Sequence, residues 1–212
     1  LIRLFYWLKL LLKSNKLDFA VYPGSQTRDN FLLPSITIIF ITLSLLDDNC
    51  RGIVMSLEKV KQYFDSLGLG QRVHELAQSS ATVEEAAVAV GCEPERIAKT
   101  MSFLLGEKPI LVVTAGDARI DNKKYKEYFH QKAKMIPGEL VEQYVGHAPG
   151  GVCPFVIPEE TQVFLDVSLK RFDIVYPAAG TSNSAVELSI KELEDCSRSR
   201  EWIDVCKDWE KE

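Results

Sequence analysis

Residues 146–155 read Gly146-His147-Ala148-Pro149-Gly150-Gly151-Val152-Cys153-Pro154-Phe155. Three glycines and two prolines in ten positions continue neither a helix nor a central strand. Glycine admits positive φ, while proline fixes φ and removes an N–H donor. A simple turn needs only about two to five such residues. The longer run predicts a stiff binding loop with outward-facing main-chain amides at Gly150, Gly151, Val152 and Cys153. Such amides can hold the oxygens of a ligand. The plainer alternative is a tight surface turn.

On either side of this loop the pattern mixes helices and strands. Leu57, Val60, Phe64 and Leu67 fall at helical spacing, and Gly68 and Gly70 close that helix. Thr82 and Glu85 fit a capping box for a helix running to Val90, with Gly91 as its stop. Glu93-Pro94-Glu95 predicts a second helix start, carrying Ile97 towards Lys99. Ile110–Thr114 reads as a buried strand and Ala115-Gly116-Asp117 as its turn. Helices are expected over Asn122–Phe129, Pro137–Tyr144 and Ile190–Cys196. Strands are expected over Val163–Leu169, Asp173–Ala178 and Val186–Leu188. The Trp202 and Trp209 segment, Glu201–Glu212, reads as a final amphipathic helix whose indoles pack in the core. This irregular alternation predicts an α+β fold with a mixed sheet.

The chain has 212 residues and a formal net charge of −5, which suits one domain with an appendage and argues against a broad nucleic-acid-coating surface. A local basic patch remains compatible with binding one end of a nucleic acid. Lys123, Lys124, Lys126, Lys132 and Lys134 cluster around one predicted helix and are the best candidates for backbone contact, unless they form an ordinary solvated face. The five cysteines, at 50, 92, 153, 196 and 206, show no C-x-x-C pair and no metal-like spacing with His74, His130 or His147. An odd, scattered set reads as reduced thiols of a cytoplasmic protein. Nothing in the sequence implies a metal or an organic cofactor.

Residues 1–54 differ in character. They carry six basic against four acidic residues, net +2, leaving −7 for the rest. The apolar run Phe31–Leu46 is interrupted by Pro34 and by Ser and Thr residues and is shorter than the roughly 20 residues of a spanning helix. A membrane anchor and a packed N-terminal extension are alternatives. The favoured expectation is upstream sequence translated in frame, with Met55 as the start and 55–212 as the domain.

Three blocks of the chain together resemble the YbaK/ProX (YbaK/EbsC) family of aminoacyl-tRNA editing (deacylase) domains, which is related to the insertion domain of prolyl-tRNA synthetase. The first is Gly150-x-x-x-Pro154 within Gly-Gly-Val-x-Pro-Phe. The second is Ala98-Lys99-Thr100-Met101, similar to the family's Lys-Thr-Leu segment. The third is Phe164–Leu169 with Ile174–Gly180 and Ala185–Ser189. Order and spacing agree from about Val60 to Leu193. The resemblance implies a curved mixed β-sheet flanked by helices and a freestanding hydrolase that deacylates mischarged aminoacyl-tRNA. Cysteinyl- or alanyl-tRNA(Pro) are the substrates it favours, with a prolyl-tRNA synthetase as a further partner and no membrane.

It also implies roles for particular residues. Lys99, which on sequence alone most often snorkels to solvent, becomes an electrostatic clamp at the acyl-ester end, with Thr100 beside it. Gly150 and Gly151 supply amides to the ester carbonyl or ribose hydroxyl, and Val152, Pro154 and Phe155 complete the loop. Cys153 becomes a pocket wall; the competing reading is a Cys153–His147 nucleophilic pair, for which no third orienting residue is evident. His147 is either a rim contact for adenine or phosphate or a capped loop histidine. Asp166 is placed near the pocket, against the alternative of a solvated strand face. Gly180-Thr181-Ser182-Asn183-Ser184, with Gly180, Ser182 and Asn183 as its candidate contacts, is a polar turn suited to an amino-acid moiety or ribose, against the alternative of a plain loop between two strands. One departure stands out: Val156 follows Phe155 where the family usually has glycine, which bears on the loop's turn. Loss of catalysis in a retained fold would leave a non-catalytic aminoacyl-tRNA or nucleotide binding module, the alternative function.

Overall fold

The computed structural model describes residues 56–210; residues 1–54, with their expected upstream origin, lie outside the described residues. A helix over residues 56–66 (α1) opens the domain. A short strand β1 (Val73–Glu75) and helix α2 (Val83–Val90) follow. The long hairpin β2 (Ile97–Leu105) and β3 (Lys108–Ala115) forms the centre, and β4 (Arg119–Ile120) leads into α3 (Asn122–Phe129) and α4 (Gly138–Val145). After the Gly/Pro loop come β5 (Gln162–Asp166), β6 (Ile174–Pro177), β7 (Ser184–Val186), β8 (Leu188–Ser189), α5 (Ile190–Ser197), β9 (Glu201–Ile203) and β10 (Cys206–Lys207).

The main sheet has six strands in the order β8-β6-β2-β3-β5-β9. β2 and β3 are antiparallel, β2–β6, β3–β5 and β5–β9 are parallel, and β6–β8 is antiparallel. Two small antiparallel pairs, β1–β7 and β4–β10, extend it. This is the expected α+β fold with a curved mixed sheet. β3 is its spine: every residue from Pro109 to Ala115 is buried, as befits a strand covered on both faces. α3 covers one side through Tyr125 and Phe129, whose rings meet Phe103 of β2 and Phe164 of β5. No helix among the described residues is long and apolar enough to cross a membrane.

Several local expectations change. Pro94–Arg96 makes only one 3-10 turn, and the chain then extends into β2. Lys99 therefore stands on a central strand, not at a helix end. The strand expected over Val163–Leu169 stops at Asp166, where the carboxylate accepts Ser168 N–H at 3.0 Å and turns the chain into a 3-10 segment. The expected helix over Glu201–Glu212 is replaced by β9 and β10. The Thr82–Glu85 box is half formed. Thr82 accepts Glu85 N–H, but the Glu85 carboxylate accepts from the Ser79 hydroxyl at 2.6 Å. A complete capping box instead opens α5, at Ser189 and Glu192.

Candidate active site

A cleft of about 180 Å3 opens beside the N-terminal half of β2. Its floor is Ile97–Thr100. One wall is the segment Ser80–Val83 with Ala86 of α2. The facing wall is Tyr176 and Ala178 at the end of β6 with Ser184 and Ala185 of β7, and Gly150 and Val152 close the rim. Backbone pairing explains how sequence-distant segments meet. β1 pairs with β7, and the pairing continues through Leu76 N–H to Asn183 O at 2.7 Å and Ser80 N–H to Ser182 O at 2.6 Å. The Asn183 amide also donates to Leu76 O.

Lys99 lines this cleft, and its ammonium donates to Gly116 O at 2.9 Å and to Ala118 O. An ammonium has three donors, so one N–H is left for a ligand. Burial holds the Lys99 pKa below the ordinary lysine range; Cys206 and Asp117 push it back up and Arg119 pushes it further down. Gly116 is required at its position, since a Cβ there would lie 2.0 Å from Pro94 O. Thr100 Oγ1 and Ser80 Oγ are both buried and make no hydrogen bond among the described residues.

The Gly/Pro loop is fixed from several directions. Gly150 has φ +86, and a Cβ on Gly151 would lie 2.7 Å from Gly180 O and from Thr181 Cα, so the two loops touch through main chain. Phe155 is buried edge-on against Phe64 of α1, with ring centroids 4.9 Å apart. Gly151 N–H donates to Ala148 O at 3.0 Å. That amide is consumed within the loop and does not face outward as the sequence suggests. The Gly150 and Val152 N–H groups donate to no described residue.

His147 lies beneath the loop, 2% exposed. Its Nε2 is 2.8 Å from Phe155 O, which can only accept, so Nε2 carries the proton and Nδ1 accepts from the Ser56 hydroxyl at 2.6 Å. Burial holds its pKa below the usual histidine range. Cys153 Sγ sits 3.3 Å from the same Nε2. The thiol therefore meets an N–H and not a lone pair, so His147 cannot take its proton. Burial pushes the Cys153 thiol up to about 12. This geometry contradicts the nucleophilic pair.

Of the residues singled out by sequence, Lys99, Thr100, Gly150 and Val152 line the cleft. His147, Cys153 and Phe155 lie in the packing beneath it. Pro154 lines a separate hollow with Tyr63 and Arg198. Asp166 is fully buried, and its second oxygen accepts Val205 N–H at 2.9 Å, tying β5 to the C-terminal segment. Ser182 seats the cleft wall through its backbone, Asn183 through both its backbone and its side-chain amide, and the Gly180 carbonyl abuts Gly151. The basic residues also separate. Lys124 is engaged with Asp204 and Cys206 O. Lys134 lies beside Leu104, near the end of β2 remote from Lys99. Sequence reasoning missed Ser80 and Tyr176, while Ser184 belongs to the polar turn it singled out. Ser79-Ser80-Ala81-Thr82 signals a helix cap, and only the β1–β7 pairing shows that it also walls a cleft. Among the described residues no group of three or more His, Cys, Asp or Glu side chains is disposed to hold a metal ion.

Comparison with known proteins agrees with this architecture. The sequence model of the aminoacyl-tRNA editing domain matches residues 77–196, which include Lys99 and Gly150. Uncharacterized protein YwhH of Bacillus subtilis (strain 168) is 52% identical over 158 residues, 74% of this chain and 100% of that protein. A candidate Cys-tRNA(Pro)/Cys-tRNA(Cys) deacylase, EbsC, of Enterococcus faecalis is 25% identical over 116 residues, 53% of this chain and 70% of the relative. The crystal structure of a candidate trans-editing enzyme for prolyl-tRNA synthetase superposes with a TM-score of 0.65 at 28% identity, covering 72% of this chain and 97% of that one.

Proposed function

Because the chain belongs to the aminoacyl-tRNA editing domain family, we propose that it is a cytoplasmic trans-editing hydrolase that cleaves the ester of mischarged aminoacyl-tRNA. Cysteinyl- or alanyl-tRNA(Pro) are its favoured substrates, and a prolyl-tRNA synthetase is a further partner. The observation that carries this reading is the Lys99 ammonium, held by two carbonyls with one N–H to spare, in the same cleft as Gly150 and Val152. Water adds to the ester carbonyl, the C–O bond to the ribose breaks, and the ribose oxygen gains a proton. The neighbouring ribose hydroxyl helps orient the water. Lys99 and the loop amides hold the charge that develops on the carbonyl oxygen. An aminoacyl ester is already activated, so placement and oxyanion stabilisation do most of what is required.

The cleft, at about 180 Å3, is smaller than the ~300–1,000 Å3 of sites for drug-sized ligands. It suits the aminoacyl end alone, leaving the polynucleotide outside. One observation favours the second reading, a binding module without turnover: Gly151 N–H is spent on Ala148 O, which leaves fewer donors for an oxyanion. Deacylation of cysteinyl- and alanyl-tRNA(Pro) by the full chain and by Lys99→Ala separates the two. Release that depends on Lys99 supports the hydrolase, whereas binding without release supports the module.

A further inference from the structure

A pair of like charges adjoins the segment that anchors Lys99. β4 and β10 pair antiparallel with Arg119 directly opposite Lys207 and Ile120 opposite Cys206. Cross-strand partners share a face of the sheet, and alternate residues face opposite ways. Cys206 is buried, so Arg119 and Lys207 share the outer face, where both are exposed. Like charges directly opposite one another are destabilising. Neither residue forms an ion pair among the described residues. Asp121 lies within Coulomb range of Lys207, but its carboxylate is committed to the Lys123 and Lys124 N–H groups at the start of α3. Other cations nearby are neutralised: Lys124 by Asp204, and Arg171 by Asp117 in a two-point contact. In a chain of net charge −5, this is an exposed positive pair with no ion-pair partner among the described residues.

Its position gives the pair a use. Ala118, whose carbonyl accepts from Lys99, immediately precedes Arg119. The pair therefore begins one residue beyond the group that anchors the cleft lysine. We propose that Arg119 and Lys207 form a phosphate-binding ledge that receives the backbone of the single RNA strand whose 3′ end enters the cleft. This inference rests on the proposed reading of the cleft as the acceptor of an aminoacylated 3′ end. The ledge supplies affinity and register and carries no sequence information, as phosphate contacts do.

The test is binding of a short fluorescent single-stranded RNA ending in CCA, without an amino acid, to the full chain. Wild type is compared with R119Q/K207Q across a salt series. K108Q, at the hairpin end of β3 away from Lys99, serves as the control. The ledge predicts about tenfold weaker binding at low salt for R119Q/K207Q. It also predicts a salt-dependence slope shallower by about 1.4, since each single-strand phosphate contact contributes about 0.7. R119K/K207R should bind as wild type does, and K108Q should keep the wild-type slope. Equal affinity and slope in R119Q/K207Q, or no RNA binding by wild type, would overturn the ledge. Ledge-dependent binding by a chain that releases no amino acid would refute the hydrolase reading while leaving the ledge in place.

Discussion

Lys99 Nζ lies 2.9 Å from the carbonyl oxygen of Gly116, a residue whose position tolerates no side chain because Pro94 O stands 2.0 Å from where a Cβ would be. The turn after β3 therefore aims the lysine. Gly116→Ala should force that turn away from Pro94, destabilise the fold by about 1–3 kcal/mol as overpacking does, and move the acceptor that positions the ammonium. Urea unfolding together with the deacylation assay checks this. An unchanged midpoint with full activity would show that the turn has slack the geometry denies.

Val156 has φ +52, the left-handed region, and is a β-branched residue. That conformation costs roughly 1–2 kcal/mol for an L-residue, and glycine recovers it less its own entropy of about 0.5–1 kcal/mol. Val156→Gly should therefore stabilise the protein by about 0.5–1 kcal/mol. Valine here holds a conformation that suits glycine. A lower unfolding midpoint in the glycine variant would contradict the strain.

Much of this could be read beforehand, and what could not has physical causes. Glycine stops at Gly68 and Gly91 were legible because each requires positive φ, as found. β3 was legible as an unbroken apolar run. β2 was not, because Pro94 after Glu93 is a good helix start and Ile97–Leu105 shows no clean alternation; tight pairing with β3 across Gly106 decides it. The end of β5 was hidden because Asp166 acts through two backbone N–H groups, one of them 39 residues away. The C-terminal segment has an amphipathic look, yet the edges of β5 and β4 capture it as β9 and β10. The resemblance points to Lys99, whereas its anchoring to Gly116 and Ala118 has no sequence signal.

His147 should make the fold acid-sensitive. Its folded pKa lies below the unfolded value because burial disfavours the charged ring. The unfolded chain then binds more protons as pH falls through the unfolded pKa, near 6.5, and stability drops until the folded pKa is passed. Stability is fully present above that window. Unfolding midpoints at pH 7.5 and 5.5 should differ more for wild type than for His147→Gln, which also loses the ring's contact with Ser56. An equal pH dependence in the two proteins would mean that His147 does not contribute.

Cys153 should be dispensable for chemistry. Its thiol is fully buried, raised to about 12 and opposed by an N–H. Cys153→Ala should keep turnover within about twofold while losing roughly 1 kcal/mol of packing. The native protein should resist iodoacetamide at neutral pH. Loss of turnover with an intact fold would restore the thiol as nucleophile.

The most direct test is single-turnover deacylation of cysteinyl- and alanyl-tRNA(Pro) by the full chain, with Lys99→Ala alongside and the unfolding midpoint of both proteins recorded. Wild type should release at least one of the two amino acids fast. Lys99→Ala should be slower by about 10²–10³, the scale of losing one oxyanion-stabilising donor, at a near-native midpoint. Release by a folded Lys99→Ala at the wild-type rate would contradict the assignment of Lys99 to the reacting ester.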